Sequence, residues 1–286
     1  MTANTVLTLS CPDRPGIVAR VASYFAEQAF NIEESSQFED PETGRFFLRT
    51  EFSCPDCDDD ALDGLQRGFA PIADEFGMDW QLRRLDRRMR VVLAVSKWGH
   101  CFNGLLHKWS AGALPVDIVA VVSNHEDMRA MSEWYGVPYQ YLPVSKDNRA
   151  EQEAQILSVM QDSDAELLVL ARYMQILTDD LCTQLSGRAI NIHHSFLPGF
   201  KGAKPYHQAY QRGVKLIGAT AHYVTGDLDE GPIIEQAVER VSHANSADEL
   251  VEIGRDIETV VLARAVTWHA QYRVLLNGNR TVVFRR

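Results

Sequence analysis

The sequence predicts an α/β protein of two domains. Two observations support this. The first 85 residues follow the order strand, helix, strand, strand, helix, strand, and from residue 91 onward continuous apolar runs alternate with helical patterns. A chain of 286 residues, 45% of them hydrophobic, can bury a sizeable core, so its stability requires neither a disulfide framework nor a structural metal.

The first domain, residues 1–85, is predicted from short alternating patterns. Residues 5–10 alternate as a strand does, and the turn-forming stretch 11–16 precedes apolar residues at helical spacing. Further patterns predict two strands, a second helix and a last strand, at residues 31–38, 45–53, 61–76 and 78–85. This βαββαβ order is typical of a two-layer, ferredoxin-like sandwich.

The second domain, residues 91–286, follows a charged linker at residues 86–90. Its first apolar runs, residues 91–95, 118–122 and 167–170, suit strands that are buried on both faces. Helical patterns separate or follow these runs, at residues 101–109, 126–134, 151–160 and 248–275. Strands that alternate with helices predict a doubly wound, mostly parallel, Rossmann-like sheet with its site beyond the carboxyl ends of the strands.

Charge and cysteine content exclude several classes of function. The balance of 28 basic and 39 acidic residues gives a net charge of −11, which argues against a nucleic-acid or anionic-membrane surface. Five scattered cysteines indicate a reducing compartment. The N-terminal sequence resembles no signal peptide, and no apolar run is long enough to span a membrane. These patterns predict a cytoplasmic protein with no membrane partner.

Three polar residues form the strongest candidate site. Asn191 and His193 stand at positions i and i+2, so on a strand their side chains project from one face. Asp229 lies in an acidic loop that follows the apolar run 221–224. An amide, an imidazole and a carboxylate that meet at strand ends suit polarising a carbonyl group and activating a nucleophile.

The sequence around these residues resembles the folate-dependent formyltransferases and, within them, the 10-formyltetrahydrofolate deformylase family. Asn191 and His193 stand in an Asn-Ile-His-x-Ser-x-Leu-Pro motif, and Asp229 stands in Leu-Asp-Glu-Gly-Pro. Further matching stretches lie at residues 170–177, 201–209, 264–269 and 277–284. The stretch Asp13-Arg14-Pro15-Gly16 resembles the start of an ACT domain, so the resemblance covers essentially the whole chain.

This resemblance implies hydrolysis of 10-formyltetrahydrofolate to formate and tetrahydrofolate, within one-carbon or purine metabolism. Asn191 and His193 would polarise the formyl group, and Asp229 would orient His193 and the attacking water. No metal and no prosthetic group is implied, and the tetrahydrofolate derivative is the substrate. The folate contacts would come from Tyr173, Met174, Gln175, Ile176, Leu177, Thr225 and His207.

The resemblance also assigns a regulatory role to the N-terminal domain. ACT domains pair through their sheets, which predicts a homo-oligomer, either a dimer or a tetramer. A glycine or methionine effector would bind at Asp13, Arg14 and Gly16, completed by Asn31 and Ile32. Backbone N–H groups at a helix start suit the carboxylate of such an amino acid.

Alternative functions stay open at this point. The chain could transfer its formyl group to a small amine such as glycinamide ribonucleotide. Two departures argue against this. Gln175 stands where glycinamide-ribonucleotide formyltransferases carry Arg, and residues 96–100 stand where those enzymes carry a Gly-Ser-Asn phosphate loop. Formylation of an initiator tRNA and folate binding without turnover are further alternatives.

Several single residues admit a structural reading. His222 is interpreted as structural and His194 as a packing residue. For His207 a structural role stays open beside the folate contact, and Cys101 adjoins His100 but formyl transfer to water needs no thiol. Gly104 stands where the resemblance to the deformylase family leads us to expect Asp. Cys54 and Cys57 have CxxC spacing, but no second pair completes a zinc site.

Overall fold

The computed structural model describes residues 3–54, 57–199 and 205–285. These residues form two compact units. The first takes in the chain as far as Arg88, together with Gln271–Asn277 and the residues from Val282 onward. The second comprises Met89–Ala270 and Gly278–Thr281.

The first unit has the βαββαβ order that the sequence predicts. Its elements are β1 (Ala3–Pro12), α1 (Ile17–Glu27), β2 (Asn31–Asp40), β3 (Arg45–Cys54), α2 (Asp59–Phe76) and β4 (Asp79–Arg84). The four strands form a sheet in the order β2-β3-β1-β4. Side chains of β1, β3, β4 and both helices fill one apolar core.

Helix α2 has clear local signals at both ends. The Asp58 side chain accepts a hydrogen bond from the Ala61 backbone N–H at 2.8 Å and so caps the first turn. Asp59 and Asp60 add negative charge where the helix dipole favours it. Gly77 ends the helix in the left-handed conformation, with φ of 61°.

A charge cluster joins the C-terminal stretch Gln271–Asn277 to the sheet of the first unit. Arg273 donates to Glu34 on β2 at 2.9 Å and lies 3.4 Å from Glu51 on β3. Arg49 donates to the Gln271 carbonyl at 2.9 Å and pairs with Glu51. Both arginines are almost wholly buried, so the carboxylates and carbonyls around them offset the cost of burying their charge.

The second unit is built on a seven-stranded, mostly parallel sheet, as predicted. Its strands have the order β11-β10-β9-β8-β5-β6-β7, and β10 runs antiparallel to the other six. The strands are β5 (Met89–Val95), β6 (Val116–Ser123), β7 (Tyr139–Tyr141), β8 (Leu167–Leu170), β9 (Ala189–His193), β10 (Leu216–Tyr223) and β11 (Ile233–Arg240).

Six helices connect these strands or pack beside them. They are α3 (His100–Ser110), α4 (Arg129–Trp134), α5 (Arg149–Asp162), α6 (Asp179–Gln184), α7 (Pro205–Arg212) and α8 (Ala247–Ala270). The chain leaves β5 toward β6 on one side and later returns to β8 on the other side. The crevice beyond the carboxyl ends of β5 and β8 is therefore the switch point where doubly wound sheets bind ligands.

The C-terminal part differs from the sequence prediction in detail. The long helix ends at Ala270, whereas the apolar pattern predicted it to residue 275. Tyr272 adopts a left-handed φ of 54°, which breaks the helix, and β12 (Val274–Asn277) then pairs with β13 (Arg280–Val283). The sequence had assigned all of these residues to the second domain, but in the structure Gln271–Asn277 belong to the first unit.

Other boundaries also differ. Met89 and Arg90, expected in the linker, already belong to β5. Helix α4 begins at Arg129, three residues later than its pattern indicated. Among the described residues, no helix is both long enough and apolar enough to cross a membrane.

Candidate active site

Asn191 and His193 share one face of β9, as their spacing predicted. Asn191 pairs in register with Leu170, the last residue of β8, so both polar side chains lie at the carboxyl end of the parallel strands. Both line the same cavity, and His193 is only 4% exposed. Strand periodicity therefore positions the amide and the imidazole side by side.

Asp229 completes the trio from the loop between β10 and β11. Its Oδ1 atom lies 3.1 Å from Nδ1 of His193. Asp229 itself has a left-handed φ of 58°. A Cβ atom on nearby Gly231 would lie 1.8 Å from the Tyr223 carbonyl oxygen, so the return of this loop to β10 requires glycine there.

His222 is a fourth member of the site, and its interpretation as a structural residue was incomplete. It stands directly opposite Asn191 in the antiparallel β9–β10 register. Its Nδ1 atom donates to the Tyr223 carbonyl at 2.8 Å, and its Nε2 atom lies 3.2 Å from Nδ2 of Asn191. In a neutral imidazole this Nε2 accepts from Asn191, which fixes the orientation of the amide and leaves its second N–H free for the cavity.

The two imidazoles determine the charge of Asp229. Burial by itself would raise the pKa of this carboxyl group, but its contact with His193, supplemented by the more distant His222, holds the pKa well below its usual range. The Asp229 oxygen also lies 3.8 Å from Nε2 of His222. Asp229 is therefore a carboxylate at neutral pH and a weak proton acceptor.

His193, whose side chain lines the cavity, has one nitrogen without a partner among the described residues. Its Nδ1 atom points to Asp229, while its buried Nε2 atom has no hydrogen-bond partner among the described residues. A buried nitrogen without a partner carries a desolvation cost that a bound group can remove. Nε2 is thus positioned to hydrogen-bond a substrate.

The cavity around the trio has a volume of about 750 Å³. All seven residues that the resemblance assigned to folate binding line it, namely Tyr173, Met174, Gln175, Ile176, Leu177, Thr225 and His207. Leu170, Val224 and Leu228 add further apolar surface. A flat ring system with a few hydrogen-bonding groups suits such a slot.

Polar side chains anchor the segment Tyr173–Leu177 to α5 and to the residues that follow β5 and β6. Gln152 donates to the Tyr173 hydroxyl at 2.6 Å, and the Met174 backbone N–H donates to Ser96 Oγ at 2.9 Å. Ser96 in turn donates to Asn124 at 2.7 Å. These anchors hold the segment rigidly while Met174 and Ile176 stay half exposed toward the cavity.

A second polar group lies beside the trio. The His194 ring lies 5.1 Å from the His193 ring and 6.3 Å from the Tyr206 ring, measured between centroids. Burial lowers the pKa of His194 to about 4, so this imidazole is neutral at neutral pH. The Tyr206 hydroxyl donates to buried Glu258 at 2.9 Å.

The sequence predicted no metal, and one side-chain group bears on this point. His100, Cys101 and Glu258 have ligand atoms within 4.8 Å of one another. However, the Arg172 guanidinium lies 3.4 Å from the same carboxylate. Burial also raises the pKa of the Cys101 thiol well above its ordinary value. A nearby cation and a protonated thiol both disfavour metal binding.

Two sequence features lie partly outside the described residues. The matching stretch 201–209 includes residues 201–204, and the Cys54–Cys57 motif includes residues 55 and 56. Cys54 and Cys57 themselves are buried free thiols.

The residues predicted for an amino-acid effector do not all come together. Asp13, Arg14 and Gly16 form the turn from β1 into α1, where Gly16 has a left-handed φ of 101°. The Arg14 guanidinium lies 4.2 Å from the centroid of the Phe76 ring. This turn leaves α1 without a side-chain cap.

Asn31 and Ile32 lie at the opposite end of the same sheet. Strand β3 separates β2 from β1, and the register pairs Asn31 with Ser53, whereas Pro12 at the end of β1 pairs with Arg45. The expectation that Asn31 and Ile32 complete the pocket within one copy is therefore wrong. Strands that are neighbours in sequence need not be neighbours in a sheet.

Comparison with known proteins agrees with this architecture. A family model described as "Formyl transferase" matches residues 89–266, and one described as "ACT domain" matches residues 5–66. A formyltetrahydrofolate deformylase from Corynebacterium sp. (strain P-1) is 50% identical over 280 residues, covering 98% of each chain. The chain belongs to the formyltetrahydrofolate deformylase family.

Further relatives support the same family. A formyltetrahydrofolate deformylase from Bacillus subtilis is 51% identical over 97% of this chain and 93% of its own. The crystal structure of a formyltetrahydrofolate deformylase from Burkholderia mallei superposes with a TM-score of 0.94, at 50% identity, over 99% of this chain and all of that one. The deformylase family that the motifs predicted is thereby confirmed, and the protein is a hydrolase.

The second unit also resembles another class of enzyme. A phosphoribosylglycinamide formyltransferase from Anaplasma phagocytophilum is 31% identical and superposes with a TM-score of 0.63. That match covers 69% of this chain and 95% of the other. The formyltransferase fold predicted for the second domain is thus confirmed, and the ACT domain is confirmed at the N-terminus.

Proposed function

We propose that Asn191, His193 and Asp229 carry the hydrolysis of 10-formyltetrahydrofolate. The second Nδ2–H of Asn191 and a protonated Nε2 of His193 donate to the formyl oxygen. Water attacks the formyl carbon, negative charge grows on that oxygen, and the bond to the folate nitrogen breaks as this nitrogen takes up a proton. The products are formate, tetrahydrofolate and one released proton. A fixed donor at a developing oxyanion contributes about 2.7–4 kcal/mol.

Asp229 acts in this proposal chiefly through orientation and charge. Its carboxylate accepts from Nδ1 of His193, which fixes the ring and stabilises the protonated imidazole. The lowered pKa of Asp229 makes it a weak base, so positioning of the water is favoured over outright removal of its proton.

One observation carries the proposal more than any other. His193 is buried, lines the cavity and is bound to Asp229 through one nitrogen, while its other nitrogen has no partner among the described residues. A structural histidine would be expected to satisfy both nitrogens. The exposed face of Asn191 lies in the same cavity, two residues away on β9.

Product analysis in labelled water tests this function. We expect the enzyme and 10-formyltetrahydrofolate, in ¹⁸O-water and without an amine acceptor, to release equal amounts of formate and tetrahydrofolate. One oxygen atom of each formate should be ¹⁸O. We expect Asp229→Ala to abolish the hydrolysis and to spare folate binding. Wild-type turnover by Asp229→Ala would remove the role proposed for this carboxylate.

Transfer to a small amine such as glycinamide ribonucleotide is the alternative. The fold-level likeness of the second unit to a phosphoribosylglycinamide formyltransferase favours this reading. It requires that tetrahydrofolate release depend on an added acceptor. Formate release without any acceptor supports hydrolysis instead.

The physiological setting is proposed from the family. We propose that the reaction serves one-carbon metabolism and supplies formate for purine synthesis. The ACT domain supports a small-molecule effector, for which glycine and methionine are the candidates. Formate release measured with and without each amino acid tests this.

Assembly and location stay predictions. Strand β2 is an edge strand with exposed Ile32 and Phe38, which supports pairing between copies. Light scattering would distinguish a dimer or tetramer from a monomer. The five cysteines are all free, which supports the predicted cytoplasmic location, and cell fractionation would test it.

A further inference from the structure

The crevice at the switch point of the second unit has two walls with different chemistry. After β8, the segment Tyr173–Leu177 lines it mainly with apolar side chains. After β5, Trp98 and His100 line it together with charged residues of α8. The apolar wall suits the folate ring, so the β5 wall is the surface that a second reactant would meet.

Two side chains of α8 hold the β5 wall in place. Arg255 and Glu258 stand three residues apart and therefore on one face of the helix. The Arg255 guanidinium lies 5.3 Å from the centroid of the Trp98 ring. Glu258 lies 2.7 Å from Nε2 of His100, the first residue of α3. We call these four residues the acceptor clasp.

The carboxylate of Glu258 is held by hydrogen bonds and ion pairs to other side chains of the protein. It is buried, accepts from the Tyr206 hydroxyl at 2.9 Å, and lies 3.4 Å from Nε of Arg172, which carries a compensating charge. These contacts hold the Glu258 side of the clasp rigid.

Close packing of α3 on α8 brings the clasp together. A Cβ atom on Gly104 would lie 2.3 Å from Cγ2 of Thr259. Gly104 follows His100 by one turn of α3, and Thr259 is next to Glu258. The missing side chain at Gly104 thus allows the approach that places His100 against Glu258.

The clasp lies within reach of the reacting groups. The rings of His193 and His194 are 5.1 Å apart, those of His194 and Tyr206 are 6.3 Å apart, and Tyr206 bonds to Glu258. The loop after the first parallel strand and the N-terminus of the following helix are where doubly wound folds commonly bind anionic groups. Here Trp98 and His100 of this region are tied to α8 by contacts within the chain.

We propose that the acceptor clasp, formed by Trp98, His100, Arg255 and Glu258, excludes amine acceptors from the crevice and leaves water as the acceptor. This rests on the proposed function of the trio, because the clasp selects the nucleophile and does not perform the attack. Opening the clasp admits a primary amine. Its nitrogen then bonds to the formyl carbon and loses one proton, while the folate nitrogen leaves the carbon and gains one. The products are a formamide and tetrahydrofolate.

The clasp is tested by measuring how the formyl group divides between water and an amine, with glycinamide as the amine. The full-length variant Trp98→Ala/His100→Ala opens the loop side and leaves Glu258 paired with Arg172 and Tyr206, so no buried charge is stranded. Arg255→Ala opens the same wall from α8. The matched control is His107→Ala, an exposed position on the same helix as His100. Formate, tetrahydrofolate and N-formylglycinamide are measured together at saturating glycinamide.

In wild type and His107→Ala we expect equal amounts of formate and tetrahydrofolate. In the opened variants we expect formate to fall below tetrahydrofolate, with N-formylglycinamide accounting for the difference and increasing on the order of tenfold over wild type. Two results would overturn the clasp: opened variants that fold, bind folate and still release equal formate and tetrahydrofolate, or wild type that formylates glycinamide as readily as they do. Failure of the trio would instead appear as wild type that releases no formate, or as unchanged total tetrahydrofolate release in Asp229→Ala.

Discussion

At the scale of single residues, the site depends on which nitrogen of each imidazole is already engaged. His193 uses Nδ1 for Asp229, and its Nε2 has no partner among the described residues. His222 uses Nδ1 for the Tyr223 carbonyl and presents Nε2 to Asn191. The two histidines therefore differ in their contacts: His193 is bound to Asp229 through one nitrogen, and His222 holds the amide of Asn191.

We predict that His222→Ala lowers kcat on the order of a hundredfold, because Asn191 loses its orienting acceptor and the donor to the formyl oxygen is misplaced. Folate affinity should change little, since His222 contacts Asn191 and Asp229 rather than the apolar slot. Steady-state kinetics and a folate binding titration measure the two effects. His107→Ala, at an exposed position of α3, is the control, and a wild-type kcat in His222→Ala would contradict the positioning role.

At the scale of secondary-structure elements, close helix packing shapes the crevice. Helices α3 and α8 meet where Gly104 has no side chain. The resemblance had led us to expect Asp at this position, and the structure gives glycine a physical reason there. A side chain at residue 104 would strike Thr259, which is β-branched and has few rotamers to choose from.

We predict that Gly104→Ala lowers the thermal midpoint of unfolding. Overpacking costs about 1–3 kcal/mol, and the better helix propensity of alanine returns about 1 kcal/mol. Gly64→Ala in α2 is the matched control, because a Cβ atom there meets nothing within 4 Å. That variant should raise the midpoint. Equal shifts in the two variants would show that the approach of α3 to α8 is not tight.

At the scale of the whole molecule, the sequence reveals what is local and misses what depends on strand pairing. Asn191 and His193 could be predicted because strand periodicity fixes their common face. Asp229 was predicted from the acidic loop that follows the apolar run 221–224, and this loop reaches His193 only after the chain turns back from β10. His222 was misjudged because its neighbour Asn191 lies across an antiparallel register that no local pattern encodes.

The same limit explains two other differences. Asn31 and Ile32 were placed beside the β1–α1 turn because the sequence order of strands does not give their order in the sheet. Arg273 was assigned to the second domain because its pairing with Glu34 spans most of the chain. In each case a long-range contact, rather than a local propensity, decided the outcome.

Two half-buried histidines predict how stability depends on pH. Burial lowers the pKa of His269 and of His194 to about 4, below their ordinary value of 6.5. Between these values the unfolded chain binds more protons than the folded one, so stability rises with pH across this window and is lost on acidification. Each excess proton contributes a slope of about 1.4 kcal/mol per pH unit.

We therefore predict that the thermal midpoint falls as the pH decreases from 6.5 to 4, and that His269→Gln shows a shallower decrease. Glutamine can still accept the hydrogen bond that Tyr223 gives to His269 at 2.7 Å. His243→Gln, at an exposed position, should keep the wild-type slope. An unchanged slope in His269→Gln would contradict the assignment of a neutral, half-buried imidazole.

The central claim is that Asn191 and His193 donate to the formyl oxygen of the bound substrate. Isotope-edited infrared spectroscopy of ¹³C-formyl-labelled 10-formyltetrahydrofolate, bound to the slow variant Asp229→Asn, tests it most directly. We predict that the carbonyl stretch lies at lower frequency in Asp229→Asn than in Asn191→Ala/Asp229→Asn, because the second protein has lost a donor. The same frequency in both proteins would show that Asn191 does not touch the formyl oxygen, and the proposed mechanism would be wrong.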